Sequence, residues 1–164
     1  MKRRSDRPAD DEIEEAVNIY ANMLFKLCFT MLCNTADAED AVSDTFFKLI
    51  TKSPDFRDEE HRKAWLIRVA TNICNDIGRF HKKHCYVNLE DLYDYAETEA
   101  DYDILKEVLN LPTKYKTVLY LFYMEGYKTE EISKILSISS AAVRKRLQYG
   151  RDMLKMEYRK EGSL

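Results

Sequence analysis

Glycine and proline are scarce in this chain, with four and three residues among 164. The strands of a sheet are joined by frequent turns, which are built mainly from these two residue types. Leucine, lysine and glutamate, which favour helices, are abundant instead. The sequence therefore predicts an all-α fold, and its length allows one medium domain or two small ones.

The stretch GYKTEEISKILSISSAAVRKRLQYGR, Gly126 to Arg151, has the pattern of two short helices separated by a tight turn. Glu130 and Glu131 occupy the first turn of the first helix, where the helix dipole favours acidic side chains. The segment Ser137 to Ser139 interrupts the pattern. At about 100° per residue the second helix has one buried seam, formed by Val143, Leu147, Gly150 and Leu154. This pattern is typical of a helix-turn-helix unit that reads DNA.

Positive charge is concentrated on the second of these helices. Between Arg144 and Lys160 there are seven lysines and arginines against two acids, a local balance of +5. An exposed helix of an ordinary bundle mixes the two signs more evenly, because opposite charges four residues apart stabilise it. The charge therefore favours contact with nucleic acid, and a charged surface helix of an ordinary bundle is the alternative.

Apolar residues at helical spacing predict three helices in the first half of the chain. Their predicted bounds are Glu12 to Leu32, Ala36 to Thr51 and Ala64 to Phe80, with the charged run Arg57 to Lys63 in a loop. Two of these helices carry a second, polar strip opposite or beside the predicted core.

The strip on the second helix consists of Asp40, Asp44 and Phe47. Two carboxylates beside one aromatic ring are typical of a protein contact, although Phe47 could instead pack against a neighbouring helix. The strip on the third helix is headed by Trp65, the single tryptophan, and continues through Arg68, Asn72, Asn75 and Arg79. Arginine can bind phosphate, asparagine can bind a base edge, and an aromatic ring can stack on an unpaired base. This strip therefore favours opened or single-stranded DNA, with Trp65 as a core residue the alternative.

The net charge of −3 hides an uneven distribution. From Cys85 to Leu105 there are seven acids and no lysine or arginine, so the remainder of the chain carries +4. We therefore predict two helical domains, residues 1–82 and 105–164, joined by an acidic linker at 83–104. Such a linker is either solvated or a mimic of nucleic-acid charge.

Several functions are disfavoured by what the sequence lacks. No apolar run resembles a secretory signal or reaches the span of a bilayer. The four cysteines have no close paired spacing, which favours free thiols in the cytoplasm. His81, His84 and Cys85, near Cys74, match no common zinc-finger spacing, so we predict no metal. Without a glycine-rich phosphate loop, a nucleophile elbow or an HExxH motif, we predict neither an enzyme nor a cofactor.

The two blocks together resemble the small bacterial sigma factors of the extracytoplasmic-function (ECF) group. The first block is similar to sigma region 2 through AEDAVSDTFFKL (38–49) and AWLIRVATNICNDIGR (64–79). The second is similar to sigma region 4 through LPTKYKTVLYLFYMEGYKTEEISKILSISSAAVRKRL (111–147). The resemblance implies a subunit that binds core RNA polymerase, reads a promoter at two places and helps to open the DNA, without chemistry of its own. A homodimeric helix-turn-helix regulator that acts without polymerase is the alternative.

The resemblance also implies site residues and partners. Contact with core polymerase is implied for Asp40, Ser43, Asp44 and Phe47. Contact with the promoter −10 element is implied for Lys63, Trp65, Arg68, Asn72, Asn75, Asp76 and Arg79. Contact with the −35 element is implied for Ser139, Ser140, Arg144, Lys145, Arg146, Gln148 and Arg151. The family commonly has an anti-sigma factor as a further partner. Ser137 departs from the family pattern, since glycine is common at this turn.

Overall fold

The computed structural model describes residues 9–80 and 98–161. In these ranges it contains α-helices and one π-helical segment and no strand, so the predicted all-α class is confirmed. The elements are α1 (Asp10–Leu32), α2 (Thr35–Lys52), α3 (Glu59–Phe80), α4 (Glu99–Leu109), α5 (Thr113–Leu119), the π-helical segment (Tyr120–Met124), α6 (Thr129–Leu136) and α7 (Ser140–Glu161).

The first domain is a bundle of α1, α2 and α3. Cys33 ends α1 in a left-handed conformation (φ 54°), and its N–H bonds to the carbonyl of Phe29. Asn34 then caps α2, because its side-chain oxygen accepts a hydrogen bond from the N–H of Asp37 at 2.9 Å. The two short caps turn the chain back on itself, so that α2 packs along α1. Large buried side chains of the three helices include Leu24, Leu27, Phe46, Leu49, Leu66 and Ile67.

The start of α3 differs from the prediction. The helix begins at Glu59, so most of the run expected to be a loop is its first turn. Asp58 Oδ1 accepts a hydrogen bond from the N–H of His61 at 2.8 Å, and Glu59 and Glu60 lie at the positive end of the helix dipole. The sequence Asp-Glu-Glu is therefore a helix start signal.

A network of polar side chains connects the start of α3 to α1. Tyr20 donates its hydroxyl hydrogen to Glu59 Oε2 at 2.7 Å, and Arg62 pairs with Glu59 Oε1. These two hydrogen bonds lower the pKa of the Glu59 carboxyl. Burial and the bond to Glu59 raise the pKa of Tyr20 to about 12. Arg62 is thus engaged within the first domain.

The second domain contains α4 to α7, and its fold depends on a tight turn after the π-helical segment. The N–H of Glu125 bonds to the carbonyl of Tyr120 at 3.2 Å, and that of Tyr127 to Leu121 at 3.0 Å. Between them Gly126 has φ 72°, which glycine adopts without the strain of a Cβ atom. The turn directs α6 back so that α6 and α7 pack together and α7 packs against α5. α4 starts at Glu99, within the range that the sequence assigned to the linker.

The two helical domains share one continuous apolar core. α1 contacts α4 and α5, and α3 contacts α6. Ile67, Thr71 and Cys74 are consequently buried on α3 in addition to the apolar face that the periodicity predicted. A helix that packs against neighbours on several sides has a wider buried face than a bundle helix with one solvent-exposed side.

Two of the cysteines meet inside the first domain. Cys28 and Cys74 are buried free thiols, and a hydrogen bond with Cys28 together with burial raises the pKa of the Cys74 thiol. Cys33 is disulfide-bonded, so the expectation of free thiols is wrong for this residue.

Candidate nucleic-acid interface

The turn between α6 and α7 is built by serines. Ser137 ends α6 with φ 55°, and Ser133 Oγ donates to the carbonyl of Ile138 at 2.6 Å. Ser139 Oγ accepts a hydrogen bond from the N–H of Ala142 at 3.1 Å and so caps α7. The hydroxyl hydrogen of this exposed serine stays available for an outside acceptor such as a phosphate. The predicted helix-turn-helix geometry is present.

α7 has one buried side and one exposed basic side. Val143, Leu147 and Gly150 are buried, as the sequence predicted, whereas Leu154 of the same seam is half-buried. A Cβ atom on Gly150 would lie 2.8 Å from Leu119 Cδ1, so glycine permits a close approach between α7 and α5. The −35 set divides by exposure along the helix. Ser139, Arg144, Lys145 and Gln148 are exposed, while Ser140, Arg146 and Arg151 are half-buried.

Arg151 differs from the rest of this set because aromatic rings hold its guanidinium. The Cζ atom is 5.5 Å from the ring centroid of Phe122 and 5.4 Å from that of Tyr123, and Nε donates to the Tyr123 hydroxyl. These contacts orient the side chain at the edge of the basic strip. Tyr123 was not among the predicted site residues, and its signal in the sequence was a run of aromatic residues immediately before the helix-turn-helix.

The −10 set on α3 forms an exposed strip for most of its length. Asn72, Asn75 and Asp76 are exposed and follow one another at helical spacing. Trp65 is half-buried, and its ring packs edge-on against Phe56, with centroids 5.6 Å apart. The backbone of Arg79 continues the helix.

Phe56 is a site candidate that the sequence reasoning missed. Its ring contacts both Trp65 and His61, the latter with centroids 5.4 Å apart. The cluster forms a half-buried aromatic surface at the start of the α3 strip. An aromatic residue inside an otherwise polar loop was the signal for it.

Lys63 does not join the α3 strip. Nine residues separate it from Asn72, which places the two about 180° apart around a helix. Lys63 Nζ is 3.1 Å from Glu125 Oε2 and 5.5 Å from the ring centroid of Tyr127, both in the second domain. Arg68 is on the strip, yet it also reaches the second domain, since its Nη2 donates to Ser137 Oγ at 2.7 Å.

The set predicted to contact polymerase lies on the outer face of α2. Asp40, Ser43, Asp44 and Phe47 are all exposed, and Phe47 has 63% of its surface in solvent. The alternative in which Phe47 packs against a neighbouring helix is therefore wrong for this conformation. Ala38, Ala41 and Leu49 on the opposite face are buried in the bundle.

Some predicted features lie outside the described residues. They are the linker from 83 to 97 and the residues considered for zinc, His81, His84 and Cys85. Within the described part of the chain, no group of three or more histidine, cysteine or acidic side chains could hold a metal ion. No helix of that part has the length and apolar character that crossing a membrane requires.

Comparisons with known proteins match both domains. The family model for Sigma-70 region 2 matches residues 16–84, and that for Sigma-70, region 4 matches residues 102–154. The ECF RNA polymerase sigma factor SigW of Bacillus subtilis (strain 168) is 30% identical over 168 residues, spanning 91% of this chain and 90% of SigW. SigM of the same organism is 29% identical over 155 residues, spanning 89% of this chain and 94% of SigM.

A solved structure shares the fold. The structure of CnrH in complex with the cytosolic domain of CnrY has a TM-score of 0.67 with 22% identity, covering 93% of this chain and 90% of that chain.

A helical region-2 domain followed by a helix-turn-helix region-4 domain defines the class of sigma-70 transcription initiation factors, which bind DNA. The exposed basic strip of α7 and the polar strip of α3 agree with that class. The chain belongs to its ECF group, and it directs promoter recognition, DNA opening and transcription initiation by RNA polymerase. The alternative of a homodimeric regulator is not favoured, because region 2 accounts for the first half of the chain.

Proposed function

We propose that three exposed strips of this sigma factor each bind a different target. The observation that carries the proposal is that each strip is exposed on a helix whose opposite face is buried in the core, so the core fixes its direction. The strips lie on α2, α3 and α7. Each has the side-chain chemistry of a different target.

The α2 strip is proposed to bind core polymerase. Phe47 presents a large apolar ring to solvent, and Asp40 and Asp44 are exposed beside it. An exposed aromatic ring surrounded by polar groups supplies an anchor that becomes fully buried when a partner binds. Ser43 lies within the same strip and adds a small polar contact.

The α3 strip is proposed to take the opened −10 element. Asn72 and Asn75 have amide groups that can pair with base edges, and the rings of Trp65 and Phe56 offer a surface on which an unpaired base stacks. Asp76 extends the strip, and the sequence position of Arg79, seven residues after Asn72, adds it to the proposed −10 set. Arg68 lies on the strip and can contact DNA once its guanidinium leaves Ser137. Lys63 lies about 180° from Asn72 around α3, so its proposed contact with DNA falls beside the strip and not on it.

The α7 strip is proposed to take the −35 element in the major groove. Arg144 and Gln148 are exposed near the start of the helix, where side chains of a recognition helix reach base edges. Ser139, Ser140, Lys145, Arg146 and Arg151 surround them and are suited to phosphate oxygens.

We further propose a cytoplasmic protein without catalytic activity. Core polymerase and promoter DNA are its partners. CnrH was solved with the cytosolic domain of CnrY, which supports an anti-sigma factor as a further partner of this chain.

Transcription of genomic DNA by core RNA polymerase, with and without this protein, tests the proposal. Mapping the RNA 5′ ends should reveal starts that depend on the added chain and share upstream sequences. Phe47→Ala should abolish these starts because polymerase loses its anchor. Ile19→Ala is the matched control, since it also removes an exposed apolar side chain from the first domain.

The control should leave the mapped starts unchanged. If neither the wild type nor the control produces new starts, while the free protein binds a palindromic duplex tightly, the sigma-factor mechanism is wrong. If Phe47→Ala remains active, the α2 assignment alone is wrong.

A further inference from the structure

One cysteine sulfur at the junction of the two domains has a buried cation beside it. Cys33 follows the last residue of α1 in a left-handed conformation, and its N–H bonds to the carbonyl of Phe29 at 2.8 Å. Its Sγ lies 3.8 Å from the carbonyl oxygen of Leu109, at the end of α4. Lys116 Nζ, on α5, donates to the same sulfur at 3.3 Å. The sulfur therefore lies where α1, α4 and α5 meet.

The ammonium of Lys116 is aimed at this sulfur and is removed from water. Lys116 has 3% of its surface exposed and Cys33 has 8%. A lysine that is so deeply buried normally pairs with an acid, whereas here its hydrogen-bond partner is the Cys33 sulfur. Cys33 is disulfide-bonded, and a disulfide sulfur is a neutral and weak acceptor. The sulfur thus compensates the charge poorly while it is oxidised, and burial lowers the pKa of the amine to about 8.

Cys33 differs in this respect from the two other described cysteines. Cys28 and Cys74 are free thiols with 0% and 2% of their surface exposed, so neither is the disulfide partner of Cys33. A hydrogen bond with Cys28 together with burial raises the pKa of the Cys74 thiol. Buried thiols in apolar surroundings are inert, whereas a lysine beside a thiol favours the reactive thiolate. Among the described cysteines, Cys33 is therefore the one whose surroundings favour a thiolate.

Reduction of the disulfide changes the electrostatics of the contact. The Cys33 thiolate carries a full negative charge, and at 3.3 Å from Nζ it pairs with the ammonium in a site of low dielectric constant. The cation that is poorly compensated in the oxidised protein is then paired in the reduced protein. A disulfide whose reduced form is stabilised in this way is more easily reduced than a structural disulfide.

We propose that Cys33 is a redox-active cysteine whose thiolate is stabilised by Lys116, and that its disulfide is a substrate for dithiol reductants. The site consists of Cys33 Sγ and Lys116 Nζ. It does not depend on the roles proposed for the strips of α2, α3 and α7. Its physical basis is the difference between a neutral sulfur and a charged sulfur beside the same buried ammonium.

Reduction by a dithiol takes place in two exchange steps. A thiolate of the reductant attacks the sulfur that is bonded to Cys33, and the electron pair of the S–S bond moves to Cys33 Sγ, which leaves as a thiolate beside the ammonium of Lys116. The second thiolate of the reductant attacks the mixed disulfide, closes the reductant's own disulfide and releases the partner thiolate. The protein gains two electrons and the dithiol loses two. Of the two protons that the dithiol loses, one is taken up by the partner thiolate and one stays in solution.

Redox titration of the full-length protein tests the proposal. The protein is equilibrated at pH 7 with mixtures of reduced and oxidised glutathione, trapped with acid, and labelled with a maleimide after unfolding, so that burial does not limit labelling. Mass spectrometry of the peptides measures the thiol fraction at Cys33 and identifies its disulfide partner. The wild-type disulfide should be reduced in the more reducing mixtures.

Lys116→Met should make the disulfide harder to reduce, because the released thiolate loses its cation. The equilibrium constant for reduction should fall about tenfold, which is about 30 mV for a two-electron couple. Lys114→Met is the matched control, since it removes the same charge from an exposed position of α5. The control should titrate like the wild type, and circular dichroism should show the same helix content for all three proteins.

Urea unfolding of the oxidised and the reduced protein separates this role of Lys116 from an effect on packing. Lys116→Met should lower the unfolding equilibrium constant about tenfold more in the oxidised protein than in the reduced protein, because the two measurements belong to one thermodynamic cycle. An equal change in both redox states would overturn the proposal. Equal reduction constants for the wild type and Lys116→Met would overturn it too, as would a Cys33 that stays a thiol in oxidised glutathione.

Discussion

Replacement of Lys116 with methionine should stabilise this protein, because the native side chain buries an ammonium group. Lys116 has only 3% of its surface exposed. Its Nζ donates to a sulfur atom, which is a weak acceptor, and burial lowers its pKa from 10.5 to about 8. Methionine has a similar length and a flexible apolar side chain, so it can fill the same space without the charge.

The size of the effect follows from the pKa. A lowered pKa means that the unfolded chain holds the proton more tightly than the folded chain, so the ammonium opposes folding. The change from 10.5 to about 8 corresponds to about 3 kcal/mol at pH 7, since one pKa unit is about 1.4 kcal/mol. Above pH 8 the folded amine loses its proton, and the penalty falls to about 2 kcal/mol at pH 9. Stability of the wild type should therefore rise toward that of the variant as pH rises through this window.

Urea unfolding followed by circular dichroism at pH 7, 8 and 9 measures this difference. The free energy of unfolding of Lys116→Met should exceed that of the wild type by up to about 3 kcal/mol at pH 7, and by less at pH 9. Lys106→Met is the control, since it removes the same charge from an exposed position of α4. Ionisation of tyrosines and cysteines affects all three proteins alike and cancels in the comparison.

Two results would refute this reasoning. The first is a variant that is no more stable than the wild type at pH 7. The second is a stability difference that stays constant between pH 7 and pH 9, because a change in packing alone has no such pH dependence.

Asn72→Ala should impair promoter opening and leave upstream binding intact; unchanged permanganate reactivity of the −10 thymines would contradict this. Arg144→Ala should weaken binding by about 1–3 kcal/mol at one −35 base, measured with duplexes substituted at each position. An equal loss for all sequences would identify a phosphate contact instead. Gly150→Ala should destabilise the second domain by up to about 2 kcal/mol in thermal unfolding, because the contact of its Cβ with Cδ1 of the buried Leu119, at 2.8 Å, outweighs the about 1 kcal/mol by which alanine favours a helix interior. Glu59→Gln should reduce the loss of stability that the protein shows below pH 4.5. The folded structure lowers the pKa of the Glu59 carboxyl from its ordinary value of 4.5, so the ionised carboxylate stabilises the fold above pH 4.5 and this contribution is lost as pH falls. Urea unfolding above and below pH 4.5 measures the difference in the free energy of unfolding.

Local spacing was enough to predict the exposed side of α7, because apolar residues that repeat every three or four positions lie on one face of a helix. For Phe47 the spacing left packing against a neighbouring helix as an alternative, and the structure decides for exposure. The start of α3 is also encoded locally, by Asp58 before two glutamates, although the charged run around them predicts a loop. The position of Lys63 opposite Asn72 could have been found by the same counting around the helix.

The remaining contacts could not be predicted in this way. Arg68 and Ser137 are 69 positions apart, and Lys116 and Cys33 are 83 apart. Each of these side chains has a reasonable surface role when its own helix is considered alone. Only the packing of α3 against α6 and of α1 against α5 brings the partners together.

The sequence by itself determined the helical class, the order of the two domains and which helix faces are exposed, because these depend on periodicity and charge along single helices. Tertiary structure alone decided that Lys63 and Arg68 turn to Glu125 and Ser137 and that Lys116 is buried. The physical reason is that contacts between domains depend on the relative placement of helices, which no local pattern specifies. Whether those two cations are free to contact another molecule therefore depends on how the two domains pack.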